Sequence, residues 1–460
     1  MKIYLNNSLT KKKEEFKPIK KGKLGLYTCG PTVYGYPHIG NLRAYLVWDI
    51  LKRFLVSQGL KVTHIMNATD VGHLSSDADS GEDKLEKAAK KEGKNAWEIA
   101  KFFIEVFKGN LKDLNILEPS KFVRATDTIK EQIKFVQILE EKGFLYKTSD
   151  GLYFDTSKLA NYGQLANIQN IDLQEGARVE KNPEKKNITD FAVWKFSPKD
   201  SKRDMEWDSP WGMGFPGWHL ECSVMSRMYL GDTFDIHTGG IDHLPIHHPN
   251  EMAQSEAVTG KLQANYWLHN EFIRFKDAKM SKSAGTFITL DDLKEKSFSP
   301  LALRYFVLQT HYRKGMNFSW EAMKSTKAGL ENIVREIAFY DKPKKISIEL
   351  VEKFNQAMAD DLNTAQGLAI LQETLDLDLP TATKLATIYK MDEVLGLDLA
   401  NLRKRALQMP ISAKKLLEQR SEARNNKDWT KADDLRDQLQ EMGVEVLDTV
   451  DGQKAVKIEL

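Results

Sequence analysis

The sequence predicts an α/β fold with a parallel sheet, followed by a helical bundle and a small mixed α+β unit. Three observations predict it. Short apolar runs alternate with helix-periodic stretches through the first half. The first such run, Leu24–Cys29, ends in a Gly/Pro turn and leads into a helical pattern and a second run, a β-α-β unit. From Ser319 onward the pattern is mostly helical. At roughly 150 residues per domain, 460 residues suggest about three structural units.

The elements follow in order. Leu24–Cys29 is the first strand. From Asn41 to Gln58, Leu42, Tyr45, Leu46, Trp48, Leu51, Phe54 and Leu55 recur at three- and four-residue spacing, which predicts a helix. Lys61–Asp70 is the next strand. Asp83–Ile116 predicts one or two helices broken near Gly93, with Phe102, Phe103, Val106, Phe107, Leu111 and Leu114 as the buried stripe. Residues 120–195 are expected to carry an insertion. Its strand-like pieces are Gly151–Phe154 and Phe191–Trp194, beside a charged loop at Glu180–Asn187. The sheet resumes at Thr233–His237 and ends in Gly239-Gly240. In the bundle, Ile333, Ile337, Phe354, Met358, Leu362, Leu368, Leu371 and Leu375 are expected core. Pro410 and Ser412 mark the boundary of the last unit, and Val444–Leu460 predicts a hairpin around Asp451-Gly452.

Composition narrows the class. The chain is 41% hydrophobic and 29% charged, ordinary for a globular protein and unlike a disordered one. No run of ~18 uncharged apolar residues occurs, so no membrane span is expected. The opening MKIYLNNSLTKKKEE lacks an apolar signal core, which points to the cytoplasm. Net charge is +2, so a polyanion must be met by local patches. Cys29 and Cys222, 193 positions apart, are the only cysteines. They read as metal ligands or inert core thiols rather than a disulfide scaffold.

Two separated elements signal nucleotide chemistry. Cys29–Asn41 lies between a strand and a helix, at the carboxyl edge of a parallel sheet, where open α/β sheets bind ligands. Gly40 allows close backbone approach, the helix from Asn41 presents its positive end, and His38 can donate to phosphate. Alone, His-x-Gly is more often a plain Gly/Pro turn with a surface histidine. Lys279-Met280-Ser281-Lys282-Ser283 places two lysines three apart among hydroxyls. Such a loop can stabilise charge on a departing pyrophosphate, or it can be a solvated basic loop.

A metal signal overlaps the first element. Cys222 lies in Gly217–Ser223, and His247 and Glu251 are four apart, on one face of any helix starting there. Two thiolates, an imidazole and a carboxylate make an acceptable zinc set, although the long gaps leave a helix-capping region with buried cysteines open. Near the C-terminus, residues 401–437 carry ten Lys/Arg and six Asp/Glu, a net +4 that could face phosphates. Trp429 sits there among polar residues and either stacks on an unpaired base or packs under a helix.

The strings CGPTVYGYPHIGN, GWHLECS, HHPNEMAQS and KMSKS, in that order, resemble the cysteinyl-tRNA synthetase family, a class I aminoacyl-tRNA synthetase family. His38–Asn41 is similar to the HIGH motif, with Asn41 at the fourth position, and Lys279–Ser283 matches KMSKS. The resemblance runs from Lys2 to about Gly452. It implies a Rossmann-like catalytic domain over 1–318, with the insertion at about 120–195 and a KMSKS region at about 265–318. It also implies a helical bundle over 319–405 and an anticodon-binding domain over 406–460. It implies Zn2+ held by Cys29, Cys222, His247 and Glu251, and Mg2+ entering with ATP. By the same resemblance, Thr32, Thr69, Trp218 and His237 surround L-cysteine. Thr32, His38, Gly40, Asn41, Lys279, Ser281 and Lys282 bind ATP, with His38, Lys279 and Lys282 catalytic. Trp429, Arg436 and Asp448 meet tRNA(Cys), and the protein is expected to be a monomer.

The chain departs from the family pattern in places. A Gly-rich HGGG-type run reads His237-Thr238-Gly239-Gly240, and Pro249 stands where Glu is common. The C-terminal Trp/Arg pair is missing from Lys454–Leu460. Three rival readings remain. A cysteine ligase with a small amine acceptor would resemble only the catalytic half. A non-catalytic RNA-binding relative would have no need of His38, the KMSKS lysines and four metal ligands together. A metallohydrolase would need an open metal position.

Overall fold

Five parallel strands form the central sheet: β1 (Lys23–Thr28), β2 (Lys61–Ala68), β3 (Lys121–Arg124), β4 (Phe234–Gly240) and β5 (Ala264–Asn270). Their spatial order is β5-β4-β1-β2-β3, and every pairing is parallel. The order reverses between β1 and β4. In doubly wound sheets ligands bind at this switch point, beyond the carboxyl ends of the strands. The computed structural model describes residues 1–72, 83–166, 183–198, 202–275, 278–279, 286–449 and 452–458. Among the described residues, no helix is long and apolar enough to cross a membrane.

Helix α1 (Ile39–Ser57) follows β1 and is apolar on almost every side. Leu42, Leu46, Trp48, Leu51, Phe54 and Leu55 are buried in a core shared with the sheet and with bundle residues such as Leu385 and Ile388. Its buried charges are paired. Arg43 Nη1 donates to the carbonyls of Glu271 and Phe272 at 2.7 Å each, and Nη2 donates to that of Lys314 at 2.6 Å. Asp49 accepts from Arg304 at 2.5 Å and from Arg53 at 2.7 Å. Removing one member of such a pair strands a buried charge.

Two expected boundaries shift. Lys121–Arg124 is not part of the insertion: it pairs with Ile65–Ala68 as the edge strand of the central sheet. The insertion is a four-stranded antiparallel sheet of Leu145–Lys147, Gly151–Phe154, Phe191–Phe196 and Gly214–Pro216, so it extends past 195. Similarly, the region expected at 265–318 opens inside β5. Its own sheet comprises Ile273–Phe275, Ala278–Lys279 and Met316–Phe318. Short strands without alternation carry no mark of which sheet they join, and only pairing decides it.

Asp83–Ile116 divides at Gly93, whose φ of 63° closes the helix Lys84–Glu92. The second helix, Ala96–Asp113, buries Ala96, Ile99, Ala100, Ile104, Phe107 and Leu111. Of the expected stripe, Phe107, Leu111 and Leu114 are buried and Phe103 and Val106 are half-buried, while Phe102 is exposed. Phe102 and Phe103 are adjacent and so point about 100° apart around the helix, which lets only one of them join the stripe.

The bundle comprises Trp320–Ala338, Ile348–Ala359, Thr364–Asp376, Thr381–Leu395 and Leu399–Ala406. Ser319 caps the first helix, accepting from Ala322 N–H. The eight apolar bundle positions named from the sequence are all buried. The last unit pairs Ile411–Asn425 with Trp429–Glu441 and adds the antiparallel hairpin Val444–Thr449/Gly452–Lys457. Its own core is small: Ala413, Leu439, Val444 and Val446.

Candidate active site

The turn after β1 is held close to β2. Gly30 N–H donates to Asn67 Oδ1 at 2.8 Å, and a Cβ at Gly30 would lie 1.6 Å from the Asn67 carbonyl oxygen. Only glycine fits there. Beyond it, Val33 N–H donates to Thr69 O at 3.2 Å and Thr69 N–H to Pro31 O at 3.0 Å. Thr32 and Thr69, two positions expected around the amino acid, are bridged partners.

His38 is the N-cap of α1. Its Nδ1 accepts from Asn41 N–H at 3.1 Å, while Asn41 Oδ1 accepts from His38 N–H at 3.2 Å. This reciprocal pair is a capping box built from imidazole and amide. It places the proton of a neutral His38 on Nε2. Gly40 lies under the ring, where a Cβ would come 2.9 Å from it. The segment that follows the lysine motif returns to the same place. His38 bridges Thr289, Ile39 N–H donates to Ile288 O at 2.8 Å, and Phe287 meets the His38 ring edge-on at 5.2 Å. Lys279 pairs through its backbone with Arg274. Ser281 and Lys282 lie outside the described residues.

The four expected metal ligands converge. Cys29 follows β1, Cys222 sits on α2 (Trp218–Leu230), and His247 and Glu251 lie one turn apart on α3 (His247–Thr259). All four are buried, with donor atoms within 4.8 Å of one another. The two Sγ atoms are 4.0 Å apart, Cys29 Sγ is 3.6 Å from Glu251 Oε1, and His247 Nε2 is 2.9 Å from the same oxygen. Burial pushes the Cys29 thiol up. Burial would do the same to Cys222, but its contacts with Cys29 and His247 outweigh it and bring that thiol below its ordinary value. Burial opposes charge on His247 as well, yet Glu251 and Cys222 raise it to about 10. Glu251 is held below the carboxylate range by His237 and His247 in spite of its burial. Two thiols, an imidazole and a carboxylate at these separations fit a four-coordinate zinc.

A layer of histidines surrounds the ligands. His219 Nδ1 is 2.9 Å from His247 Nδ1. His237, expected beside the amino acid, is wholly buried with Nε2 2.8 Å from Glu251 Oε2 and its ring stacked on Trp267. His248 Nε2 lies 3.4 Å from Cys29 Sγ, its Nδ1 is 2.8 Å from His269 Nε2, and His269 Nδ1 is 2.7 Å from Ser8 Oγ. Cys29, His237, His248 and Glu251 make a second converging set. Sequence reading missed His219, His248 and His269. His248 had a signal, three positions before Glu251 on one helix face, and so did His219, three positions before Cys222, whereas His269 meets the cluster only in space. Such outer partners orient ligands and fix tautomers. Trp218 is half-buried, its ring 4.4 Å from that of His247.

The two departures near this centre are accommodated. Thr238 Oγ1 is 2.8 Å from Thr28 Oγ1 and donates to the Tyr27 carbonyl at 3.2 Å. Gly239 stays essential, since a Cβ there would sit 2.6 Å from His243 Nδ1. Pro249 is in the first turn of α3, where a missing N–H breaks no helical bond.

The three expected RNA contacts separate. Trp429 is 57% exposed, with the Arg424 guanidinium 5.8 Å from its ring centre. Asp448 accepts from both Nη atoms of buried Arg420, at 2.8 and 2.9 Å, with Arg424 at 2.9 Å. Arg436 donates to the Val446 carbonyl at 3.3 Å. Arg420, which organises this corner, was not singled out from the sequence.

The switch-point sheet, the capped histidine and the returning lysine segment define a class I tRNA synthetase. Residues 15–328 match the family model described as the class I (C) tRNA synthetase catalytic domain, and residues 408–454 match the cysteinyl-tRNA ligase anticodon binding domain. The chain therefore belongs to the cysteine-tRNA ligase family. A cysteine-tRNA ligase 1 of Burkholderia lata is 45% identical over 99% of this chain and 97% of its own length. A cysteine-tRNA ligase of Novosphingobium aromaticivorans is 44% identical over 97% and 95%. Among solved structures, Mycobacterium tuberculosis methionyl-tRNA synthetase bound by methionyl-adenylate matches with a TM-score of 0.57 at 15% identity, covering 84% of this chain and 95% of that one. The Agrobacterium radiobacter K84 LeuRS-tRNA-LeuAMS complex matches with a TM-score of 0.58 at 12% identity, covering 84% and 85%. These two likenesses concern the fold.

Proposed function

We propose that this chain ligates L-cysteine to tRNA(Cys) in two steps, through a cysteinyl-adenylate, with zinc selecting the substrate thiol. The observation that carries the proposal is the convergence of Cys29, Cys222, His247 and Glu251 at the sheet's switch point. Cysteine and serine differ only in S versus O, and a pocket that measures size separates such near-isosteres about a hundredfold at best. When bound, zinc supplies a soft Lewis acid that favours a thiolate over a hydroxyl. Trp218, Thr32 and Thr69 form the pocket wall, and His237 acts through Glu251.

In the first step the cysteine carboxylate attacks the α-phosphate of ATP, which enters with Mg2+. The P–O bond to pyrophosphate breaks as the acyl–phosphate bond forms. The carboxylate is already a nucleophile, so the work is positioning and charge stabilisation. His38 donates from Nε2 to phosphate, its ring fixed by Asn41. Gly40 and the α1 N-terminus leave room for the nucleotide, while Lys279, Ser281 and Lys282 hold the departing pyrophosphate. In the second step the terminal 2′-hydroxyl of tRNA attacks the adenylate and AMP leaves. Trp429 offers the anticodon a stacking face, while Arg436 and Asp448 shape the surface around it. The enzyme acts as a cytoplasmic monomer.

Charging of total tRNA with labelled cysteine, ATP and Mg2+ tests the reading, with serine in parallel. Cysteine-specific, tRNA-dependent charging is expected, and His38→Ala should slow cysteine-dependent pyrophosphate exchange by about 100-fold. Exchange without charging would overturn it in favour of a small-acceptor ligase.

A further inference from the structure

Arg43 is wholly buried in α1, little more than one turn beyond the His38 cap. Nη1 donates to the carbonyls of Glu271 and Phe272 at 2.7 Å each and Nη2 to that of Lys314 at 2.6 Å, with the Tyr312 and His311 carbonyls 3.4 and 3.5 Å from Nη2. All five acceptors are uncharged backbone. Burial lowers the Arg43 pKa to about 10 against the pull of the Glu271 charge, so the group stays ionised at neutral pH. A buried charge with no carboxylate bonded to it is costly, and packing alone is served better by an apolar side chain. The acceptors mark two strand starts. Phe272 immediately precedes Ile273–Phe275, and Lys314 stands two residues before Met316–Phe318. These strands pair in parallel, Ile273 opposite Met316, and Ile273–Phe275 carries Ala278–Lys279 on its other edge, with Arg274 opposite Lys279. Parallel neighbours share no tight turn that would fix their register. A rigid guanidinium fork reaching both starts fixes it instead. The chain beyond the lysine motif is held by the same helix end, since Ile39 N–H donates to Ile288 O and His38 bridges Thr289.

We propose that Arg43 is a positioning residue for pyrophosphate departure: it sets the register of the small sheet that carries Lys279 against the helix that carries His38. The inference rests on the adenylate-forming reading above. Charge on a leaving pyrophosphate is stabilised only by groups already in place when it develops. His38 and Lys279 belong to segments far apart in the chain, and Arg43 is the side chain of α1 that bonds to both strand starts beside Lys279. Wholly buried, it acts through those strands and not on the substrate.

The test compares Arg43→Lys with Arg304→Lys and the unaltered enzyme. Arg304 is the matched control. It too is wholly buried and donates to carbonyls, those of Leu395 and Leu114, but its charge serves Asp49, farther along α1. Lysine keeps the charge at Arg43 but is a point donor that cannot span both strand starts. Cysteine-dependent pyrophosphate exchange in Arg43→Lys is expected to lose about 100-fold in kcat, the scale of a misplacement of about 1 Å. KM for cysteine, zinc content and affinity for a non-hydrolysable cysteinyl-adenylate analogue, which has no pyrophosphate to place, are expected to stay within about threefold. Arg304→Lys is expected to unfold at a lower temperature, as Arg43→Lys does, but to keep its exchange kcat within about twofold. An unchanged kcat in Arg43→Lys would overturn the assignment. Equal losses in kcat and analogue affinity would do the same, as would an equal kcat loss in Arg304→Lys, since either marks general damage to the core. Arg43→Gln, which drops the charge and keeps an amide donor, replaces the lysine variant if that does not fold. Failure of both to fold makes Arg43 a folding residue and overturns the assignment. If the unaltered enzyme shows no cysteine-dependent exchange, the underlying reading fails instead, and that control is read first.

Discussion

The sulfur–histidine centre and the C-terminal unit are both assembled from residues named in advance, yet they came out differently. At the centre, Cys29, Cys222, His247 and Glu251 arrive from three elements and meet within 4.8 Å. In the C-terminal unit, Trp429 faces solvent while Asp448 and Arg436 bond within the fold. The difference lies in what each chemistry demands. A metal requires its donors within one coordination sphere, so the residue types imply the geometry. An RNA surface requires only cations and rings facing outward, and an Arg or Asp does structural duty equally well.

The largest expected effect falls on the centre. Cys222→Ser should reduce zinc in the purified protein from about one equivalent to under a tenth, measured by mass spectrometry of the metal. Full retention would show that the second set, Cys29, His237, His248 and Glu251, suffices, and would blur the contrast drawn here. Next, His219→Ala removes the partner of His247 Nδ1 and should weaken zinc affinity by about 10- to 100-fold in a chelator competition.

The C-terminal unit should respond in stability rather than chemistry. Asp448→Asn leaves buried Arg420 without its carboxylate; because Asp448 itself is solvent-exposed, the loss should be about 1 kcal/mol in that unit, read by hydrogen exchange. Exchange of pyrophosphate should be untouched. Arg420 and Arg424 hold the Asp448 carboxyl below its ordinary value. Its contribution is therefore complete above the unfolded pKa of about 4 and disappears as pH falls through the lower folded value. Protection of residues 444–449 should fade on acidification across that window in the native protein and not in Asp448→Asn. The smallest stability effect belongs to Trp429→Ala, within about 0.5 kcal/mol by thermal unfolding. The same variant should weaken tRNA binding about tenfold. A marked loss of stability would mean that Trp429 packs after all and that the two regions differ less.

Legibility followed the same divide. The β-α-β unit, α1 and the bundle core were readable because apolar spacing records burial directly, as Leu42, Leu46 and Leu375 show. Strand membership was not. Lys121–Arg124, expected within the insertion, joined the central sheet, and Ala264–Asn270 was not read as a strand, because pairing partners lie far away in the chain. The helix at 96–113 was readable with its buried stripe, as Phe107 and Leu111 show, and only Phe102 turned outward.

Residue types and their order determine the nucleotide turn, the four metal donors and the helical second half, because local backbone preference and ligand chemistry are properties of the residues themselves. The histidine layer around the four donors, the pairing of Asp448 with Arg420 and the exposure of Phe102 were decided by tertiary packing. Each depends on which side chains come within a few ångströms across long stretches of chain. Such contacts are selected by the free energy of the whole core, and local spacing does not encode them.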